Sequence, residues 1–128
     1  MKYSLVFFIS LCTFAILFSC QNSAENKTNG VELLEPEVFV ASYEAEPEAL
    51  LIDCRTPLEV SRGTLKGAIN LDYRSPIFAA EVEKLDKNTP VYIYCQGGGR
   101  SAAAAEKLEM LGFEEIHDMK GGYGSLAK

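Results

Sequence analysis

Cysteine and histidine are scarce in this 128-residue chain, which has four of the first and one of the second. Cys12 and Cys20 fall in the N-terminal segment, so only Cys54 and Cys95 belong to the body of the protein. Two cysteines cannot make a disulfide-stapled scaffold. A zinc site needs clustered Cys and His ligands, and His117 stands alone in a strand-like run, so no metal is expected. Basic residues are also short, with 12 Lys and Arg against 18 Asp and Glu and a formal net charge of -6. Without a Lys/Arg stripe, such a surface argues against a nucleic-acid partner. No internal repeat is visible. The one long apolar run, from about Tyr3 to Phe18, is shorter than the ~20 residues that span a bilayer.

That run follows Lys2 and ends at the small residue Ser19, the layout of a secretory signal peptide over residues 1–19. The stretch Leu17-Phe18-Ser19-Cys20 resembles a bacterial lipobox, although Phe18 is bulkier than that motif usually carries. Processing there leaves Cys20 as a lipidated first residue. Residues 21–30 are small and polar and contain no aromatic side chain. Residues 20–30 are therefore expected to form a flexible tether, because such a composition buries too little apolar surface to offset ordering. The expected location is the bacterial cell envelope, with a lipid anchor to the membrane. The absence of Asp after Cys20 points to the outer membrane facing the periplasm, by resemblance to the sorting rule of enteric bacteria. Residues 31–128 suffice for one domain with a single core, expected to be monomeric.

Within that domain, helix-like and strand-like runs alternate. Pro36 to Tyr43 reads as a helix begun by Pro. Ala49 to Cys54 is a strand too continuously apolar to have a wet face. Short pieces follow: helical at Pro57 to Arg62, extended at Ala68 to Leu71, helical at Pro76 to Leu85. Val91 to Cys95 is a second apolar strand, Ser101 to Leu111 a helix stopped by Gly112, and Glu115 to Met119 a last strand. The alternation predicts an α/β fold, with a central parallel sheet and helices on both faces. In such sheets ligands bind beyond the carboxyl ends of the strands. Cys95 and the pair Asp53-Cys54 both stand at such ends.

The most informative stretch is Cys95-Gln96-Gly97-Gly98-Gly99-Arg100-Ser101. A cysteine leaving a strand enters a glycine loop that opens a helix. Glycines let successive N–H groups turn inward without Cβ clashes. The helix start adds unpaired donors and partial positive charge. Arg100 closes the loop with a cation that can fork onto an oxyanion. These surroundings favour thiolate over thiol at Cys95. The pattern is that of a covalent catalyst.

The same stretch resembles the Cys-x-x-Gly-x-Arg loop of single-domain rhodaneses, members of the rhodanese-like sulfurtransferase family. Two further blocks carry the resemblance in the right order: Leu51-Ile52-Asp53-Cys54-Arg55-Thr56-Pro57-Leu58-Glu59 with Gly63-Thr64-Leu65-Lys66-Gly67-Ala68-Ile69-Asn70-Leu71, and Met119-Lys120-Gly121-Gly122-Tyr123. The chain departs from the family at Thr64, where His is frequent, at Cys54, where an aliphatic residue is usual, and in having no Trp after the double glycine. The resemblance implies that Cys95 is the nucleophile and carries a persulfide. Arg100 and the backbone of Gln96, Gly97, Gly98, Gly99 and Ser101 would bind a small sulfur-containing anion such as thiosulfate. A thiol or cyanide would then accept the sulfur, with no cofactor. Asp53 and Arg55 would support the site rather than react, or simply pair and cap at the strand end. Cys54 is expected as core filler, with the hazard that it ends its strand on the same rim as Cys95. Tyr92 and Tyr94 share one strand face and read as core, and Gly121-Gly122 as a turn lining the pocket. Two other functions remain open. One is a persulfide carrier or docking module that keeps the cysteine. The other is a Cys-dependent phosphatase or arsenate reductase, whose loops usually place five residues between Cys and Arg, where this chain has four.

Overall fold

The computed structural model describes residues 30–126. The expected signal peptide, the lipidation site Cys20 and all but the last residue of the expected tether lie outside them. Ten short elements follow one another: β1 Gly30–Leu34, α1 Pro36–Ala45, β2 Leu50–Asp53, α2 Pro57–Ser61, β3 Ile69–Asn70, α3 Phe78–Glu83, β4 Val91–Tyr94, α4 Gly99–Met110, β5 Glu115–Met119 and a 3-10 turn, Tyr123–Ser125. The strands form one five-stranded sheet in the order β1-β5-β4-β2-β3, parallel throughout. No helix among the described residues is long and apolar enough to cross a membrane.

Local chemistry explains the boundaries. Every residue of β4 is buried, as is all of β2 after Leu50, because helices cover both faces. Gly112, at φ +92, takes the left-handed position after α4. Its N–H donates to the Glu109 carbonyl and the Phe113 N–H to the Leu108 carbonyl, closing the helix while Phe113 packs with Leu108. At α2, Thr56 and Glu59 satisfy each other's backbone N–H groups in a capping box, with Pro57 in the first turn.

The sheet divides the core. Ile52, Val91, Ile93 and Ile116 face α3 and α4, where Ala104 and Ala105 allow close approach. Leu51, Tyr92, Tyr94 and Met119 face α1 through Phe39. Phe39 meets Tyr92 edge-on at 5.3 Å, and Tyr92 stacks on His117 at 4.4 Å. His117 is thus held in the sheet, its ring nitrogens facing Glu32 and Glu115.

Three features differ from the sequence reading. Gly30, assigned to the tether, pairs with Glu115 as the first residue of β1; this edge strand is half exposed and its few apolar residues do not alternate cleanly. Helix α3 starts at Phe78 rather than Pro76, which leaves Ile77 59% exposed while Phe78 and Val82 are buried. Helix α4 starts at Gly99 rather than Ser101, which brings Arg100 into its first turn.

Candidate active site

Cys95 follows β4 directly and is buried at the base of the glycine loop. Gly98, at φ +99, is the N-cap of α4, a conformation open to glycine but costly for a side chain. Its N–H donates to Cys95 Sγ at 3.0 Å. A Cβ at Gly97 or Gly99 would touch nothing within 4 Å, so both glycines border open space over the loop. Ser101, fully buried in the first turn of α4, donates its hydroxyl to the Gly98 carbonyl at 3.2 Å.

The loop is braced from behind by the C-terminal glycine turn. The N–H of Tyr123 donates to the Cys95 carbonyl at 2.7 Å, and that of Gly124 to the Gln96 carbonyl at 3.0 Å. Gly122 adopts φ +64, and a Cβ there would lie 2.4 Å from the Cys95 carbonyl oxygen. Gly121-Gly122 therefore lies directly against the loop's backbone.

Asp53 and Arg55 form a buried ion pair beneath the loop. Arg55 donates through Nε and Nη2 to Asp53, through Nη1 to Gln96 Oε1 at 3.0 Å, and through Nη2 to the Gly63 carbonyl at 2.6 Å. Its guanidinium lies 4.1 Å from the centre of the Tyr123 ring. Burial opposes the charge on Asp53, but hydrogen bonds from the Arg55 side chain and backbone hold its pKa below the ordinary value. Thr64, standing where the family often has His, donates its hydroxyl to Asp53 at 2.9 Å.

Arg100 forks onto the Glu59 carboxylate with contacts of 2.8 and 2.7 Å. This hydrogen-bonded pair holds the Glu59 pKa well below and the Arg100 pKa above their ordinary values. Sequence reading gave Arg100 to a substrate anion or to ordering the loop; here it ties the start of α4 to the start of α2. Glu59 was missed as a partner, although Thr-x-x-Glu after β2 already marks it as an N-terminal capping residue. Beside the pair lies an open depression of about 400 Å³, lined by Arg55, Glu59, Arg62, Gln96, Tyr123 and Gly124. It adjoins the loop through Gln96 and does not include Cys95. Arg62, not singled out in the sequence, is exposed there and forms no ion pair with another described residue.

The electrostatics centre on Cys95. A hydrogen bond from the Cys54 thiol is the largest influence, and it outweighs burial with help from Ser101 and the Gly98 N–H. Together these hold the Cys95 thiol down to about 4. The same contact and burial push the Cys54 thiol far up, so Cys54 is the protonated donor and Cys95 the thiolate. Cys54 is thus buried as expected but is more than filler. Asp118 was also missed. Alternation in β5 puts it on the Ile116 face, toward Ser101, where it is 2% exposed with Oδ1 unpartnered. Burial above all, reinforced by the Cys95 charge, lifts its carboxyl to about 6.

A family model described as Rhodanese-like domain matches residues 35–128. The chain is 32% identical over 108 residues to a tRNA uridine(34) hydroxylase of Teredinibacter turnerae, covering 74% of this chain and 34% of that protein. It is 38% identical over 95 residues to an uncharacterized protein of Bacillus subtilis, covering 73% and 70%. The chain therefore spans about a third of the first of these relatives. Among solved structures, a rhodanese-related protein of Thermoplasma volcanium superimposes with a TM-score of 0.62 at 28% identity, over 73% of this chain and 88% of that one. A rhodanese-like domain protein of Staphylococcus aureus gives a TM-score of 0.67 at 23% identity, over 76% and 92%, a likeness of fold.

Two outcomes follow. Gly122→Ala should cost about 2–4 kcal/mol in chemical denaturation and slow alkylation of Cys95, because the new Cβ collides with loop backbone. Alkylation of Cys95 by iodoacetamide, followed by mass spectrometry across pH, should lose its rate only as pH falls through about 4, where the thiolate protonates. Cys54→Ala should move that midpoint up toward the free-thiol value of ~8.5, and Cys54→Ser, which keeps a hydroxyl donor, should move it less.

Proposed function

The chain belongs to the rhodanese-like domain family, and we propose that it is a sulfurtransferase working through a Cys95 persulfide. One observation carries the reading: a thiolate held at low pKa at the base of a glycine loop that opens a helix. The Cys95 thiolate attacks the outer sulfur of thiosulfate, the S–S bond breaks, and sulfite leaves with the electron pair. A thiol or cyanide then attacks the outer sulfur of the persulfide and regenerates the Cys95 thiolate. The Gly98 N–H and the partial positive charge at the start of α4 stabilise the anionic sulfur at both stages. Gly97 and Gly99 leave space for the outer sulfur over the loop. Arg100, with its charge near Cys95, offsets negative charge at the mouth, and Arg62 offers a second cation to the incoming anion. Four residues between Cys95 and Arg100 favour sulfur over the larger phosphate group.

The tRNA hydroxylase name belongs to relatives of which the match covers only about a third, and the sulfur chemistry rests instead on the site. Placement of the domain on the envelope through Cys20 is likewise part of the proposal, resting on the apolar run before that residue. A carrier that keeps the persulfide for a docked partner would use the same Cys95 chemistry, and thiosulfate:cyanide turnover separates it from an enzyme.

After thiosulfate, Cys95 should gain one sulfur atom by mass spectrometry, and Cys95→Ser should abolish both this gain and transfer to cyanide while the domain stays folded. Release of phosphate from an aryl phosphate by Cys95, without sulfur transfer, would sink the reading. Arg100→Ala leaves the Glu59 carboxylate unbalanced at the mouth. It should lower kcat/KM for thiosulfate about 10- to 100-fold, and far less for an uncharged persulfide donor.

A further inference from the structure

Cys54 has a place in the fold that the transfer cycle does not use. Asp53 and Tyr94 are register partners in adjacent parallel strands, and the Cys54 N–H continues the ladder by donating to the Tyr94 carbonyl at 2.9 Å. The next pair in register is Cys54 and Cys95. Neighbouring strands run ~4.8 Å apart, within the ~4.4–6.8 Å of Cα separation that a disulfide accepts. Both side chains belong to the same core cluster on the α3/α4 face, and each thiol is the largest influence on the other's pKa. Both cysteines are free and buried. Cys54 thus meets Cys95 Sγ from the sheet, whereas the Gly98 N–H meets it from the loop.

We propose that Cys54 is a resolving thiol that discharges the Cys95 persulfide when no external acceptor arrives. This rests on the sulfur-transfer reading above. Before transfer, Cys54 and Cys95 are donor and acceptor of one proton and do not react. Once Cys95 carries the extra sulfur, negative charge moves one atom outward, and Cys95 Sγ becomes an electrophile facing Cys54. The Cys54 sulfur attacks Cys95 Sγ, the persulfide S–S bond breaks, and a Cys54–Cys95 disulfide forms. The departing sulfur takes the electron pair and the Cys54 proton and leaves as hydrosulfide. The sulfane sulfur is reduced and the two cysteines are oxidised, so the electrons balance within the protein. A dithiol reductant restores both thiols. The site would thereby turn sulfane sulfur into hydrosulfide and close itself until reduced.

The full chain, reduced, freed of reductant and kept without oxygen, is treated with thiosulfate and followed by intact mass and by a hydrosulfide assay. The expected wild-type course is a gain of one sulfur, then a mass two hydrogens below the reduced chain. One hydrosulfide should be released per chain, and dithiothreitol should reverse the mass change. Tryptic mapping should join the peptides ending at Arg55 and Arg100. Cys54→Ser should hold the added sulfur on the order of 10-fold longer or more, since oxygen cannot resolve it. A wild-type persulfide as long-lived as that of Cys54→Ser, or equal hydrosulfide release by both, overturns the proposal while leaving sulfur transfer intact. If the wild-type chain neither gains sulfur nor releases hydrosulfide, the sulfur-transfer reading falls and this proposal with it. The wild-type measurements decide the matter even if the variant does not fold.

Discussion

The buried guanidinium of Arg55 is the interaction around which the site is assembled. One side chain reaches the end of β2 through Asp53, the Gly63 turn, the Cys95 loop through Gln96, and the C-terminal turn through the face of Tyr123. The three sequence blocks, far apart along the chain, thus meet on a single cation. Taking a charge out of water is expensive, and the Asp53 carboxylate and these further acceptors offset that cost. Removing one partner of such a buried pair typically costs about 3–5 kcal/mol, so the positions tolerate little change. The glycine turn that presses against the loop runs into Tyr123, whose ring is seated on Arg55.

Above this hub, the charge on Cys95 is set by short-range donors more than by a lone cation. The Cys54 thiol, the Ser101 hydroxyl and the loop N–H groups favour a charged sulfur at Cys95. That charge has a counterpart in Asp118, whose buried carboxyl is lifted to about 6 on the same face of the sheet. Two anions in one dry region are unfavourable, so the Cys95 charge adds to burial in raising the Asp118 carboxyl. Arg100, the residue whose charge is most evident in the sequence, acts at one remove through its fork on Glu59.

What could be read from the sequence followed from chemistry confined to short windows. The continuous apolar runs of β2 and β4 announced strands covered on both faces, Gly112 the end of α4, and Cys95 with its glycines the loop at a helix start. β1 was not legible, because as an edge strand it satisfies its backbone on β5 and needs no apolar alternation of its own. The roles of Glu59, Cys54 and Asp118 were hidden for a different reason. Each depends on a partner brought alongside by the sheet or by the approach of α2 and α4 at Arg100 and Glu59, and neither segment records the other. Arg100 shows the same limit, since its residue type predicts a fork onto an oxyanion but not that the oxyanion belongs to the protein.

The order of the strands also governs when the protein can exist. β5 lies between β1 and β4, so the first strand has no neighbour until the last has been made. The turn that grips the Cys95 loop follows later still, at Gly122 to Gly124. A growing chain emerging from the ribosome therefore carries Cys95 before it carries the turn that braces its loop. Sheet closure across such a separation is slow, as pairings distant in sequence are. The braced loop is thereby a property of the finished molecule alone.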